Sequence, residues 1–499
     1  MYFIGIDSGT QSTKALVLDV ESGEIVISAQ EAYDLIEGLP AGHMEQHPQD
    51  WWQAVDSTVR SCLSQLGDKK DQVRGIGVSG QQHGLVVLDE NDEVIRPAKL
   101  WCDTSTVDQC EQFAAAFAGS AGLIELAGNP ILPGYTAPKL LWLKQNEPEN
   151  FERVKTVLLP HDYLNFKLSG VKRMEYGDAS GTGLMNVRSR EWCDELMDFI
   201  DPRVREMLPE LASSNERNGL LSAECSEAWG LSGEVVISAG GGDNMMGAIG
   251  TGNVKPGVIT ASLGTSGTLY GCMDSPVIDP KGEIAAFCDS SDQWLPLVCV
   301  MNVTVVTEQV RAMFGWELDE LEAQITAAEP GAQGLQFLPY LTGERTPNLP
   351  DGCGVIHGLT TENMTPGNIG RAAMEGATLG LAYGLKRFRE QGMSPAEIRM
   401  TGGGSKSAAW RQIAANVFGV PVVALATAEG AGLGAAIQVA ALVAREQGSE
   451  ESYQSLVARL VELDESTRCQ PDPQWVDFYQ EKLERQVKLT THLKQAGLL

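Results

Sequence analysis

The sequence predicts an α/β protein of two related lobes facing each other across a cleft. Three observations carry that prediction. One short phrase occurs twice, Ile4-Gly5-Ile6-Asp7-Ser8-Gly9-Thr10 and Ile259-Thr260-Ala261-Ser262-Leu263-Gly264-Thr265, about half a chain apart. At 499 residues the chain exceeds one ordinary core, so two large domains are the natural expectation. The first half also runs three strands, a helix and a further strand, a mixed-sheet order that the second half begins in the same way.

In chain order, the first three strands are Tyr2–Asp7, Thr13–Asp19 and Glu24–Glu31, separated by the repeated turn and by Glu21-Ser22-Gly23. Trp52, Val55, Val59 and Cys62 recur at helical spacing and predict an amphipathic helix from Pro48 through Leu66. The strand Gly75–Ser79 and a hairpin around Asp89-Glu90-Asn91-Asp92 follow. Gly and Pro cluster at 250–257, which divides the chain into domains 1–250 and 251–499. The second half restarts at Gly257–Gly271. Helices are expected over Val305–Phe314, Pro366–Gln391, Ser407–Phe418, Ala431–Arg445 and Trp475–Leu493. Thr365 is the natural N-cap of the second of these, with Pro366 at its first position. Ile369, Ala373, Ala377, Leu381 and Leu385 form its apolar face.

Composition excludes several classes. Net charge is -29, from 37 basic and 66 acidic residues, so a nucleic-acid partner is disfavoured. The most apolar late stretch, Gly430 to Ala444, is interrupted by Gln438 and falls short of the ~20 residues a membrane span needs; it reads as a buried helix. No basic and apolar leader precedes the first strand, which predicts a cytoplasmic protein. Ten cysteines without a Cys-x-x-Cys pair read as reduced thiols. His43 and His47 lack the His-Glu-x-x-His pattern, and Pro48 opposes a helix through them, so no zinc site is expected there.

The two turns offer backbone N–H groups and Thr hydroxyls suited to phosphate oxygens, at Gly9, Thr10, Gly264 and Thr265. Only the first carries a carboxylate, Asp7, where the second has Ser262; Asp7 is the expected metal-side group. Together they point to a phosphotransferase or ATPase. Gly240-Gly241-Gly242-Asp243-Asn244 follows the apolar strand Val235–Ala239. A carboxylate at a strand's carboxyl end faces the crevice of an α/β sheet and can accept a hydroxyl proton, though an Asp there can also cap the next helix. Beside two phosphate turns, Asp243 is the expected general base. Gly402, Gly403, Gly404 and Ser405 form a Gly-rich turn before a helix, a surface for adenosine or phosphate. In Ser79–Gly84, Gln82 and His83 supply the mixed donors and acceptors of a polyol site. Trp101-Cys102-Asp103 pairs an aromatic with a carboxylate, suited either to a sugar or to a buried Trp with a capping Asp. Gly75-Ile76-Gly77-Val78-Ser79-Gly80 spells a dinucleotide fingerprint, but it lies within a strand and opens no helix. That leaves a nicotinamide oxidoreductase without support. A P-loop Gly-Lys-Ser/Thr is absent as well.

Over almost its whole length the chain resembles the FGGY carbohydrate kinases. The likeness runs through Ile4–Lys14, Glu45–Trp52, Ser79–Gly84, Pro133–Leu140, Leu158–Leu164, Gly240–Asn244, Ser262–Gly267, Leu338–Pro347 and Thr401–Ser405. It implies the two-domain actin-like (ribonuclease-H-like) sugar kinase fold, with an interdomain cleft, a sugar-binding and catalytic N-terminal domain and an ATP-binding C-terminal one. It implies ATP-dependent phosphorylation of a ketose, D-xylulose ahead of D-ribulose, L-xylulose, gluconate or glycerol. Asp243 then matches the proton acceptor, and Asp7 the carboxylate that acts through Mg²⁺. Gln82 and His83 match a substrate contact, to which Asp103 and Asn244 are added, and Gly402–Gly404 match the adenosine turn. Two departures touch the sugar pocket: Thr104-Ser105-Thr106, where many relatives have an Arg nearby, and Gln82, where relatives can have Met. A non-metabolic actin-fold ATPase would explain the turns but not Gly240–Asn244. A homodimer stays open, since no sequence feature bears on assembly.

Overall fold

The computed structural model describes residues 1–427 and 429–499. Two seven-stranded mixed sheets organise it. In the first, Tyr2–Ser8, Ser12–Asp19 and Glu24–Ala32 form an antiparallel meander. Val73–Gly80 pairs parallel with Tyr2–Ser8, and Val236–Ser238 continues parallel beyond it. The second sheet repeats this plan: Val258–Leu263, Gly267–Gly271 and Trp294–Val300 make the meander, and Glu397–Thr401 and Val422–Leu425 extend it in parallel. The repeated phrase therefore marks the opening hairpin of each half.

The helix at Pro48–Leu66 has the expected bounds, with Pro at its start and Trp51, Val55, Val59 and Cys62 buried. Trp52, placed on that face by the sequence, is only partly buried; Trp51 takes the core position. Thr365 caps the helix Pro366–Glu390 by accepting from the Asn368 amide. That helix is buried on most sides, so its apolar stripe understates its burial.

The expected boundary at 250–257 falls between the helix Asp243–Gly250 and the strand Val258–Leu263. The cores do not divide there. Leu433, Ala436, Val439, Leu456 and Leu460, all from the second half, pack with Phe3, Leu16 and Leu18 of the first sheet. The helix Gly430–Glu446 lies directly on that sheet, and glycines let it approach. A Cβ on Gly5 would sit 1.9 Å from the Gly432 carbonyl oxygen, and one on Gly77 would sit 2.1 Å from that of Ala435. The fingerprint-like glycines of the strand Val73–Gly80 thus serve helix-on-sheet packing. This crossing helix also meets Asp243–Gly250 through glycines: a Cβ on Gly434 would fall 1.9 Å from the Met246 carbonyl oxygen. No helix among the described residues is long and apolar enough to cross a membrane.

Candidate active site

Each repeated turn has its carbonyls tied back. In the first, Tyr33 donates to the Gly9 carbonyl (2.6 Å), Gln46 to the Thr10 carbonyl (2.7 Å), and Trp101 Nε1 to Thr10 Oγ1 (3.0 Å). In the second, the backbone amides of Val303 and Thr304, at the start of the helix Thr304–Phe314, donate to the carbonyls of Thr265 and Gly264. Among the described residues, the amides of Thr10, Gln11, Thr265 and Ser266 donate to no protein group. Oxygens turned away and amides left free make anion-binding turns.

Asp7 ends the first strand beside Ser79 of its parallel neighbour, whose Oγ donates to Asp7 Oδ1 at 2.8 Å. Burial raises the Asp7 carboxyl above its ordinary range; the Ser79 bond opposes this and the Glu429 charge adds to it. Asp243 opens the helix Asp243–Gly250. Its glycines are not a free loop. Gly241 and Gly242 pair as a short strand with Ser79 and Gly80, and a Cβ on Gly241 would fall 2.1 Å from Ser290 Oγ. Packing rather than ligand approach demands glycine there. Asp243 is pushed up to about 7, chiefly by burial and then by the charges of Asp7 and Asp178. The Asn244 side-chain amide donates to Asp243 Oδ1 (2.9 Å) and to Gln82 Oε1 (2.8 Å), and its oxygen accepts from Thr268 (3.2 Å). Asn244 therefore orients the carboxylate and keeps one lone pair of its amide oxygen on the cavity wall.

Asp243, Asn244, Gln82, His83 and Gly264 line one cavity of about 300 Å³, together with Trp101, Tyr135, Phe287 and Arg345. Asp7, Gly9, Thr10, Lys14 and Glu429 line a second of about 500 Å³, and Trp101 borders both. One expected assignment is corrected. Asp103 is fully buried and lines neither cavity. Its Oδ1 accepts from Ser105, and its Oδ2 from the Met44 amide (2.9 Å) and Lys99 (3.2 Å), so no oxygen is left for a ligand. Lys99 also lies against His43 and Glu45, so this acidic cluster is already neutralised by a cation of the chain. The Gly402–Ser405 turn lies outside both cavities and packs against the second repeated turn. A Cβ on Gly402 would meet the Leu263 carbonyl oxygen at 2.6 Å, and Gly403 has open space. Thr265 is exposed beside it.

Arg345 was missed as a site residue. It comes from the second half yet reaches the wall shared by Tyr135 and His83. The only sequence signal was its place in the Gly343–Pro347 stretch, which carries no spacing rule of its own.

Comparison with known proteins adds the following. The FGGY family of carbohydrate kinases matches through its N-terminal domain over residues 2–250 and through its C-terminal domain over residues 259–443. A xylulose kinase of Haemophilus influenzae is 42% identical over 499 residues, 99% of each chain. One of Escherichia coli is 35% identical over 489 residues, 97% of each chain. Among solved structures, a ligand-bound xylulose kinase of Lactobacillus acidophilus superposes with a TM-score of 0.91 at 26% identity, covering 99% of this chain and 98% of that one. A gluconate kinase of the same organism gives 0.90, also at 26% identity and with the same coverage. One fold is thus shared by kinases named for two different acceptors.

Proposed function

Since the chain belongs to the FGGY family of carbohydrate kinases, we propose that it transfers the terminal phosphoryl group of ATP to D-xylulose, giving D-xylulose 5-phosphate. The xylulose kinases most similar over the full length support the acceptor. The carrying observation is Asp243. It is a partly buried carboxyl pushed up to about 7, on the wall of a cavity that also holds Gln82, His83 and part of the second repeated turn. A base with that affinity is matched to taking a hydroxyl proton near neutral pH.

Phosphoryl transfer asks the protein mainly for position and charge balance. The sugar binds in the smaller cavity, with Gln82 and His83 supplying hydrogen bonds and Trp101, Tyr135 and Phe287 excluding water. Asp243, aligned by Asn244, orients the attacking hydroxyl and takes its proton. The free amides of the two turns hold the ATP phosphates, and the Gly402–Ser405 turn takes adenosine from outside the second turn. The Asp7 charge raises the Asp243 carboxyl, and Asp7 keeps an oxygen that Ser79 does not bond; both features fit a divalent cation. Mg²⁺ held near Asp7 would supply charge neutralisation there.

ADP release measured over a panel of D-xylulose, D-ribulose, L-xylulose, D-gluconate and glycerol tests this reading. D-Xylulose is expected to give the highest kcat/KM; any other acceptor exceeding it tenfold overturns the acceptor and leaves the family. Asp243→Ala is expected to lose ~10²-fold or more in turnover with nucleotide affinity nearly unchanged.

A further inference from the structure

His83 is held more tightly than a ligand contact alone requires. Its backbone is left-handed at φ 61, a region a side chain such as His rarely adopts without support. Its carbonyl accepts from Lys139 Nζ at 2.7 Å and from Thr136 Oγ1 at 3.2 Å. The ring packs against both Tyr135 and Phe287, with centroids 5.3 and 5.5 Å away. It also lies over Gly181, where a Cβ would fall 1.9 Å from Cε1. Nδ1 is 3.4 Å from Asp178 Oδ1; both atoms are enclosed and neither has another partner. Nε2 is the ring nitrogen left to the cavity.

Behind Asp178 runs a buried chain of charge. Asp178 Oδ2 lies 3.1 Å from His161 Nδ1, and His161 Nε2 lies 2.9 Å from Asp162 Oδ1. Burial opposes a charged His161, yet the two flanking carboxylates raise it well above the ordinary histidine value, so it stays protonated. Glu175 caps the one-turn helix Tyr176–Ala179 that carries Asp178, accepting from the amides of Gly177 and Asp178. Burial keeps His83 itself neutral, against the partial opposition of Asp178.

We propose that Asp178, clamped by His161 and Asp162, is a positioning residue: it holds the His83 proton on Nδ1, so that Nε2 meets the sugar as a hydrogen-bond acceptor. A neutral imidazole has one N–H. With that proton on Nε2, two lone pairs would face each other in the enclosed space between Nδ1 and Asp178. The present contact is loose, and a small ring rotation aligns it when Nε2 engages a hydroxyl, as catalytic hydrogen bonds often tighten on binding. The site then selects a group that donates at this point and refuses a deoxy or O-methyl position. The inference rests on the sugar occupying the His83 cavity.

The test is the tautomer of His83 in ligand-free, ¹⁵N-histidine-labelled protein, read by two-bond ¹⁵N–¹H correlation. The chain has six histidines, and His83→Asn identifies the signal by its loss. An Nδ1–H ring is expected. In Asp178→Asn, His161 takes the amide oxygen, the amide NH₂ turns toward Nδ1, and His83 is expected to become Nε2–H. KM for the ketose should then rise at least tenfold while KM for ATP stays put. An Nε2–H ring in the parent protein, or an unchanged tautomer in Asp178→Asn, overturns the proposal. A merely structural Asp178 would lower Tm without moving the tautomer or separating the two KM values. Should Asp178→Asn not fold, the parent tautomer alone decides. The NMR readout needs no turnover, so failure to phosphorylate any ketose would overturn the acceptor while leaving this result intact.

Discussion

The two lobes solve one problem by different means. Both leave turn amides free and tie back the turn carbonyls, as an anion-binding turn requires. The first lobe uses side chains, Tyr33 and Gln46, drawn from later parts of its own half. The second uses the opening amides of the helix Thr304–Phe314. The turns also differ in length. Residues 9–12 lie between the paired Ser8 and Thr13, whereas only 264–266 lie between Leu263 and Gly267. The equivalent positions beneath them diverge further. Gly5 lies under the crossing helix, while its counterpart Thr260 is a buried hydroxyl bonded to Thr251 (2.7 Å) and Asn253 (3.1 Å). A duplicated backbone plan constrains the hairpin; what packs on it decides which side chains the hairpin can carry.

The largest expected effect tests that packing difference. Gly5→Ala drives a Cβ into the backbone of the crossing helix, which cannot yield as a flexible side chain would, and should cost on the order of 4 kcal/mol or more. Thr260→Val at the matching position removes a hydroxyl and leaves Asn253 short of a partner, costing ~1–3 kcal/mol. Denaturant unfolding of both variants orders them, and equal losses would mean the crossing helix adapts.

Next is the carboxylate that only the first turn carries. Asp7→Asn should lower turnover by ~10²-fold and raise the Mg²⁺ concentration needed for half-maximal rate. Ser262→Ala should stay within about threefold of the parent. Unchanged Mg²⁺ dependence in Asp7→Asn would reduce Asp7 to a shaper of the turn.

Asp243 makes a stability prediction opposite to its activity prediction. Its carboxyl is raised from 3.8 to about 7 in the folded protein. Below pH 3.8 folded and unfolded chains both hold the proton and no burial cost arises. The cost grows as pH rises and is complete above about pH 7. Ligand-free Asp243→Asn should therefore melt above the parent at pH 8, by about 1–2 °C for each kcal/mol relieved, with the margin vanishing toward pH 4. Equal melting at pH 8 would show that Asp243 ionises freely.

The smallest effect compares the two turn threonines. Thr10→Val strands the Trp101 N–H and should cost ~1–2 kcal/mol, whereas Thr265→Val, at an exposed hydroxyl, should stay within about 0.5 kcal/mol. A few-fold rise in KM for ATP in the Thr265 variant would sharpen the comparison by giving its hydroxyl to the phosphates.

Much was legible in one dimension because it is local. Residue spacing set the helix Pro48–Leu66 and the cap at Thr365, and the repeated phrase announced two matching hairpins. The order of the quoted stretches marked the family. Asp243, Gln82 and His83 stood out because each follows a buried strand, where α/β sheets present their ligands. Contacts between distant segments could not be read that way. Asp103 and Asp243 look alike in sequence, each beside small or polar neighbours; only the fold brings Lys99 and the Met44 amide to the first and leaves the second facing a cavity. The glycines at 75 and 77, which spell a nucleotide signature, are small because a helix more than 350 residues later rests on them. The boundary at 250–257 likewise hides that this helix completes the first lobe's core. Arg345 and the links from Asp162 through His161 and Asp178 to His83 took their roles from tertiary structure alone. A side chain's neighbours in space, and hence its charge and its free lone pairs, are set by packing between segments whose separation no local pattern records.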